Sequence, residues 1–232
     1  MYNRETLNAY LVNVAEPDYA KFSSALIPGL TRPLLGVRIP ILRKLAKIMA
    51  KEDGEKALSE VLVSDTFEVV ILRGFLIGYM RTDWKITWKE ICNFVPYIDN
   101  WLVCDCCCSS FKLVRAHKEE VWPFLLNYIR SDKEYEQRFA VVMMMYYFLT
   151  EDYIDRVLAA WSSMHPAGYY AEMAVGWGLS VSFFSFYEKT MSVLMDECVS
   201  LVCRKKACQK ILESRRTPLD LKNIIKDLKS KY

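Results

Sequence analysis

Glycine and proline are scarce, with eight of each in 232 residues, and most fall between stretches of helical periodicity. Asn-Gly or Asp-Gly turns flanked by alternating strands are absent, which removes the main signature of a β-hairpin protein. Long hydrophobic runs are absent as well. The longest, 139-FAVVMMMYYFL-149, has eleven residues. A membrane-spanning helix needs about 20, so this run reads as a buried helix. The first residues, MYNRETLNAYL, are mixed and charged and lack the apolar core of a secretory signal. A cytoplasmic protein with reduced thiols is therefore expected.

What is present is a globular composition, 53% hydrophobic and 25% charged. Apolar residues recur at three- and four-residue steps almost throughout, which predicts an all-α protein. The helical segments fall near 3–14, 17–26, 38–51, 54–63, 66–80, 85–95, 100–116, 118–130, 133–148, 151–163, 168–184, 187–197, 200–214 and 218–230. Pro40 suits the first turn of its helix, and Thr217-Pro218 reads as a capping residue before a first-turn proline. Fourteen helices with short connections suggest seven antiparallel pairs of roughly 30 to 40 residues, the size of an αα repeat. The expectation is one helical-repeat domain over 1–232, a HEAT-like αα-hairpin solenoid, with a generic helical bundle as the alternative. No apolar heptad seam stands out, so a monomer is expected.

Charge is unevenly placed. From Arg204 to Tyr232 there are ten Lys/Arg and three Asp/Glu, within a chain whose net charge is only +3. Such a segment can face phosphate, or be no more than the solvated side of terminal helices.

The stretch 101-WLVCDCCC-108 crowds four of the eight cysteines around one aspartate. Zinc motifs usually pair Cys-x2-Cys elements at two separated places. Here that spacing occurs only between Cys104 and Cys107, and four successive helical thiols point to different sides. No metal is expected, and the cysteines are read as small buried hydrophobes in a tight helix contact. Trp101 and Asp105 are four apart and share a helix face, with Cys108, Lys112 and Arg115 continuing near it. An aspartate in so apolar a helix is either a satisfied structural carboxylate or a catalyst. Arg138 opens another apolar helix behind Glu134 and Glu136, and could pair with them or aim at a phosphate. Trp177 stands between Gly176 and Gly178 in a helical pattern, and each glycine costs about 1 kcal/mol there relative to alanine. Either a second helix or a ligand comes close to that face.

Six stretches in order, 36-GVRIPILRKLAK-47, 67-FEVVILRGFLIGYM-80, 98-IDNWLVCD-105, 137-QRFAVVMMM-145, 169-YYAEMAVGWGLS-180 and 207-ACQKILESRR-216, resemble the AlkD-like DNA alkylation repair family, helical-repeat DNA glycosylases. The resemblance implies hydrolysis of the N-glycosidic bond of cationic alkylated purines, such as 3-methyladenine and 7-methylguanine, in double-stranded DNA, without a cofactor. It places the catalytic aspartate on Asp105, the two substrate-contacting tryptophans on Trp101 and Trp177, and the DNA-facing arginine on Arg138. Arg38, Arg43 and Arg215 are further phosphate candidates. A cationic base leaves without prior protonation, so one ionised carboxylate suffices to stabilise the sugar cation and place water. One departure from the family pattern is that Glu172 and Met173 stand where a basic residue usually precedes the second tryptophan. A DNA-gripping member without catalysis and a HEAT-like protein scaffold are the competing expectations.

Overall fold

The computed structural model describes residues 3–60 and 66–232, and the end of the segment expected as helix 54–63 lies outside them. Among the described residues there are helices and no strands. The order is α1 (Arg4–Asn13), α2 (Pro17–Ala25), α3 (Ile39–Glu60), α4 (Phe67–Tyr79), α5 (Trp84–Phe94), α6 (Trp101–Cys108), α7 (Lys118–Ile129), α8 (Glu134–Tyr147), α9 (Ile154–Ser162), α10 (Tyr169–Phe183), α11 (Tyr187–Met195), α12 (Leu201–Glu213) and α13 (Leu219–Ser230). Contacts divide the chain into two compact units, Met1–Leu113 and Val114–Tyr232.

Two boundaries differ from the sequence expectation, and a third expected break is kept as a kink. The helices expected at 38–51 and 54–63 join into α3, bent where Asp53 leaves helical geometry (φ −163°, ψ 95°). Its carboxylate then accepts from the Lys56 N–H at 3.0 Å and restarts the helix as an N-cap would. The helix expected at 100–116 stops at Cys108 and gives way to a short 3-10 turn over Lys112–Ala116. Ser109 and Ser110 end it, because their hydroxyls donate to the Cys106 and Cys107 carbonyls at 2.6 Å, a local alternative to the helical ladder. Lys112 and Arg115 therefore do not continue the Trp101–Asp105 face. Thr217 does not cap α13: its hydroxyl bonds back to the Ile211 carbonyl, and Pro218 holds the cap position.

In the first unit α4 is the central helix, with ten residues buried. One of them, Glu68, is 1% exposed. Its carboxylate accepts the backbone N–H groups of Leu35 (3.0 Å), Gly36 (2.7 Å) and Val37 (3.2 Å), and so ties down the chain entering α3. α6 lies against α4 where Gly74 leaves room: a Cβ there would stand 2.8 Å from the Cβ of Cys107. In the second unit α8, α10 and α12 form a comparable series. Gly176 lets α12 approach α10, since an added Cβ would meet the Cβ of Lys206 at 2.7 Å, and a Cβ added at Gly178 would stand 2.6 Å from the Trp161 ring. The Gly-Trp-Gly pattern thus marks close helix crossings on both sides of Trp177. Gly176→Val should lower stability by roughly 1–3 kcal/mol through overpacking. An unchanged urea midpoint would refute that close approach.

Helices that touch in succession carry a common spacing. Arg43 bonds Tyr79, Cys107 bonds the Ile71 carbonyl and Ser110 bonds the Gly74 carbonyl, each pair 36 residues apart. In the second unit Glu134 and Arg138 of α8 reach Tyr170 of α10 across 36 and 32 residues. These hydrogen bonds between neighbouring helices thus span 32 to 36 residues.

Candidate functional site

α6 begins at a fully equipped N-terminus. Asn100 accepts from the Val103 N–H at 3.0 Å, and the preceding Asp99 pairs with Arg32 while accepting from the Asn100 amide at 2.8 Å. The Trp101 indole N–H donates to the Leu26 carbonyl at the end of α2, 3.1 Å away. Trp101 is thereby fixed by a residue 75 positions earlier, which no local sequence pattern signals.

The eight residues of α6 split cleanly. Val103, Cys104, Cys107 and Cys108 are buried, whereas Trp101, Leu102, Asp105 and Cys106 are half-buried. A helical repeat of 3.6 puts Trp101 and Asp105 one turn apart on the open stripe. Three of the four thiols thus fill the packed side, while Cys106 shares the more accessible side with the carboxylate. Burial pushes the Cys106 thiol up to about 11, with Arg43 pulling the other way and Asp105 adding to the rise. Burial also raises Cys107 and Cys108 well above the ordinary range. Among the described residues, no group of three or more His, Cys, Asp or Glu is arranged to hold a metal ion.

Two outcomes follow for the thiols. Cys198 is exposed while Cys104, Cys107 and Cys108 are buried, so native alkylation should label Cys198 first and leave those three untouched. Early label on Cys107 would contradict the packing. The raised thiols of Cys92, Cys106 and Cys203, each at about 11 against an ordinary 9.0, stay neutral in the fold when unfolded thiols ionise. Their contribution is full below pH 9 and is lost as pH rises through about 11. The urea midpoint should fall across that window, and a flat profile would refute the assignment.

Arg38 and Arg43 have structural partners. Arg38, at the exposed start of α3, forms a bidentate pair with Glu16 at 2.7 Å and lies over the Tyr19 ring. That hydrogen bond raises the Arg38 pKa and lowers that of Glu16. Arg43 is half-buried, donating to the Tyr79 hydroxyl at 2.7 Å and lying 4.1 Å over the Phe75 ring. A phosphate would have to displace or share these contacts. Arg215 is exposed between α12 and α13.

In the second unit the start of α8 builds the start of α10. Glu134 accepts from the Tyr170 N–H at 2.6 Å, and Arg138 donates to the Tyr170 carbonyl at 2.8 Å. Gln137, 2% exposed, donates to the carbonyls of Ser131 and His165 at 2.9 Å and accepts from the Ala167 N–H at 2.7 Å. Arg138 is only 5% exposed, so its side chain lies largely inside the helix packing. Trp177, two turns into α10, is half-buried with the Tyr146 ring edge-on at 6.4 Å. The sequence singled out Arg138 as an arginine for an acidic partner or a phosphate, and none of Glu134, Gln137 and Arg138 as a support of α10, because their partners there lie about thirty residues away. Trp101 and Asp105 belong to the first unit, and Arg138, Trp177 and Arg215 to the second.

The model of the DNA alkylation repair enzyme family matches residues 7–181, most of the chain, and the chain belongs to that family. The matched span includes Trp101, Asp105, Arg138 and Trp177. No curated protein matches the chain.

Proposed function

We propose that this DNA alkylation repair protein is a glycosylase that hydrolyses the N-glycosidic bond of cationic alkylated purines, such as 3-methyladenine and 7-methylguanine, in double-stranded DNA. The observation that carries this reading is the split of α6, which leaves Trp101 and Asp105 together on its open stripe. Asp105 stabilises the positive charge that develops on the deoxyribose and orients the water that attacks C1′. The departing base is already cationic, so the C–N bond breaks with its electrons passing to the base and no general acid is required. Trp101, held by Leu26, offers an aromatic face to the cationic nucleotide, a contact worth about 0.5–2 kcal/mol. Trp177 is assigned the same role, and Arg215 is the exposed phosphate-side arginine; Arg138, 5% exposed and donating to the Tyr170 carbonyl, would reach a phosphate only by giving up or sharing that contact. Arg38 and Arg43 are weaker candidates because Glu16, Tyr79 and Phe75 already engage them. The 32- to 36-residue span of these hydrogen bonds supports reading the helix pairs as HEAT-like repeats of an αα solenoid.

Incubation with methylated duplex DNA should release free methylated purine and leave abasic sites. Intact glycosidic bonds in protein-bound DNA would instead favour a second reading, a DNA-gripping member without catalysis, which Glu172 on α10 favours by placing a negative charge near the phosphate side.

A further inference from the structure

Lys206 stands on α12 where that helix crosses α10 at Gly176. With no side chain on Gly176, the Lys206 stem lies against α10 and its ammonium sits 4.0 Å from the centroid of the Tyr169 ring. Among the described residues no hydrogen bond or ion pair engages this ammonium, and the ring orders the charge without neutralising it. Tyr169 is 57% exposed. It meets Tyr170 edge-on at 5.2 Å, and Tyr170 stacks on Tyr135 at 5.6 Å. A row of aromatic rings on the first turns of α8 and α10 therefore ends in an ordered, half-exposed cation. Its acidic neighbour is Glu172, one turn into α10. Both charges act on the buried Cys203 thiol, Glu172 raising and Lys206 lowering its pKa after burial has raised it most.

We propose that Lys206 is a phosphodiester contact of this chain, supplying from α12 the positive charge that α10 lacks at Glu172 and Met173, with the exposed Tyr169 ring as the surface beside it. This assignment rests on the DNA-binding reading above and extends it to a residue outside the segment matched by the family model. A lysine serves here as a point charge on a backbone phosphate, which favours binding without reading sequence.

The test is fluorescence anisotropy with an unmodified duplex over a series of salt concentrations, on wild type, Lys206→Gln and Lys206→Arg. Log affinity falls linearly with log salt, and loss of one phosphate contact reduces the slope by about 1. Lys206→Gln should show that reduction with weaker binding, and Lys206→Arg should restore the slope. Lys189→Gln, which removes a lysine paired with Asp155 at 2.8 Å, should leave it unchanged. Glu172→Gln should tighten binding, and it also serves if Lys206→Gln does not fold. Wild type with no salt-dependent binding would sink the DNA reading itself and this assignment with it. Salt-dependent wild-type binding with parallel slopes for Lys206→Gln, or with no change in Glu172→Gln, would overturn the assignment alone.

Discussion

Asp105→Asn should abolish base release while leaving the protein folded and bound to DNA. The amide matches the carboxylate in size but carries no charge. It cannot offset the oxocarbenium charge, and it is a poor partner for the attacking water. Losing one preorganised electrostatic group costs about 100- to 1000-fold in turnover. Because Asp105 lies on the half-buried stripe of α6 and the amide keeps its size and one accepting oxygen, the substitution should leave the protein folded. Single-turnover release of 7-methylguanine, with anisotropy for binding and a thermal melt for stability, separates the contributions. Retained release would remove Asp105 from the chemistry. Lost release with a collapsed melt would make it a structural carboxylate.

Glu68→Leu is expected to have the largest effect on stability. It would leave the N–H groups of Leu35, Gly36 and Val37 without their acceptor. Gly36 and Val37 are buried, so water cannot readily replace it. Each unsatisfied buried donor costs about 1–3 kcal/mol, so a loss of about 3 kcal/mol or more is expected. For a chain of this size that corresponds to a fall of roughly 6–12 °C in Tm. Glu68→Gln keeps one amide oxygen as acceptor but turns an N–H donor toward the remaining backbone donors, and should fall in between. Equal melts for all three proteins would show that these backbone groups find other partners.

Periodicity made the helices legible, and the order of short motifs made the family legible. The boundaries that failed share a cause: side chains competing with the backbone. Nothing in the apolar run after Trp101 signals that Ser109 and Ser110 will turn their hydroxyls onto the preceding carbonyls and end α6. The break expected between residues 51 and 54 does stand, as the kink at Asp53, where a short acidic side chain restarts the helix. At the candidate site, spacing alone placed Trp101 and Asp105 on one face, because that relation is local. It could not show that Leu26 holds the indole, that Glu16 already engages Arg38, or that Arg138 is built into the start of α10. Those partners lie between 22 and 75 residues away, and only the packing of successive helices brings them into contact. Glu68 illustrates the same limit, because a first-turn glutamate is ordinary until the three N–H groups it receives are known.

The central claim is that departure of an already cationic base removes the need for a general acid. The direct measurement is single-turnover release from two otherwise identical duplexes, one holding 7-methylguanine and the other hypoxanthine, a purine that leaves a neutral nucleoside. The account predicts release of the cationic base, abolished in Asp105→Asn, and no enzyme-dependent release of hypoxanthine. Comparable release of both bases, or of neither, would contradict it.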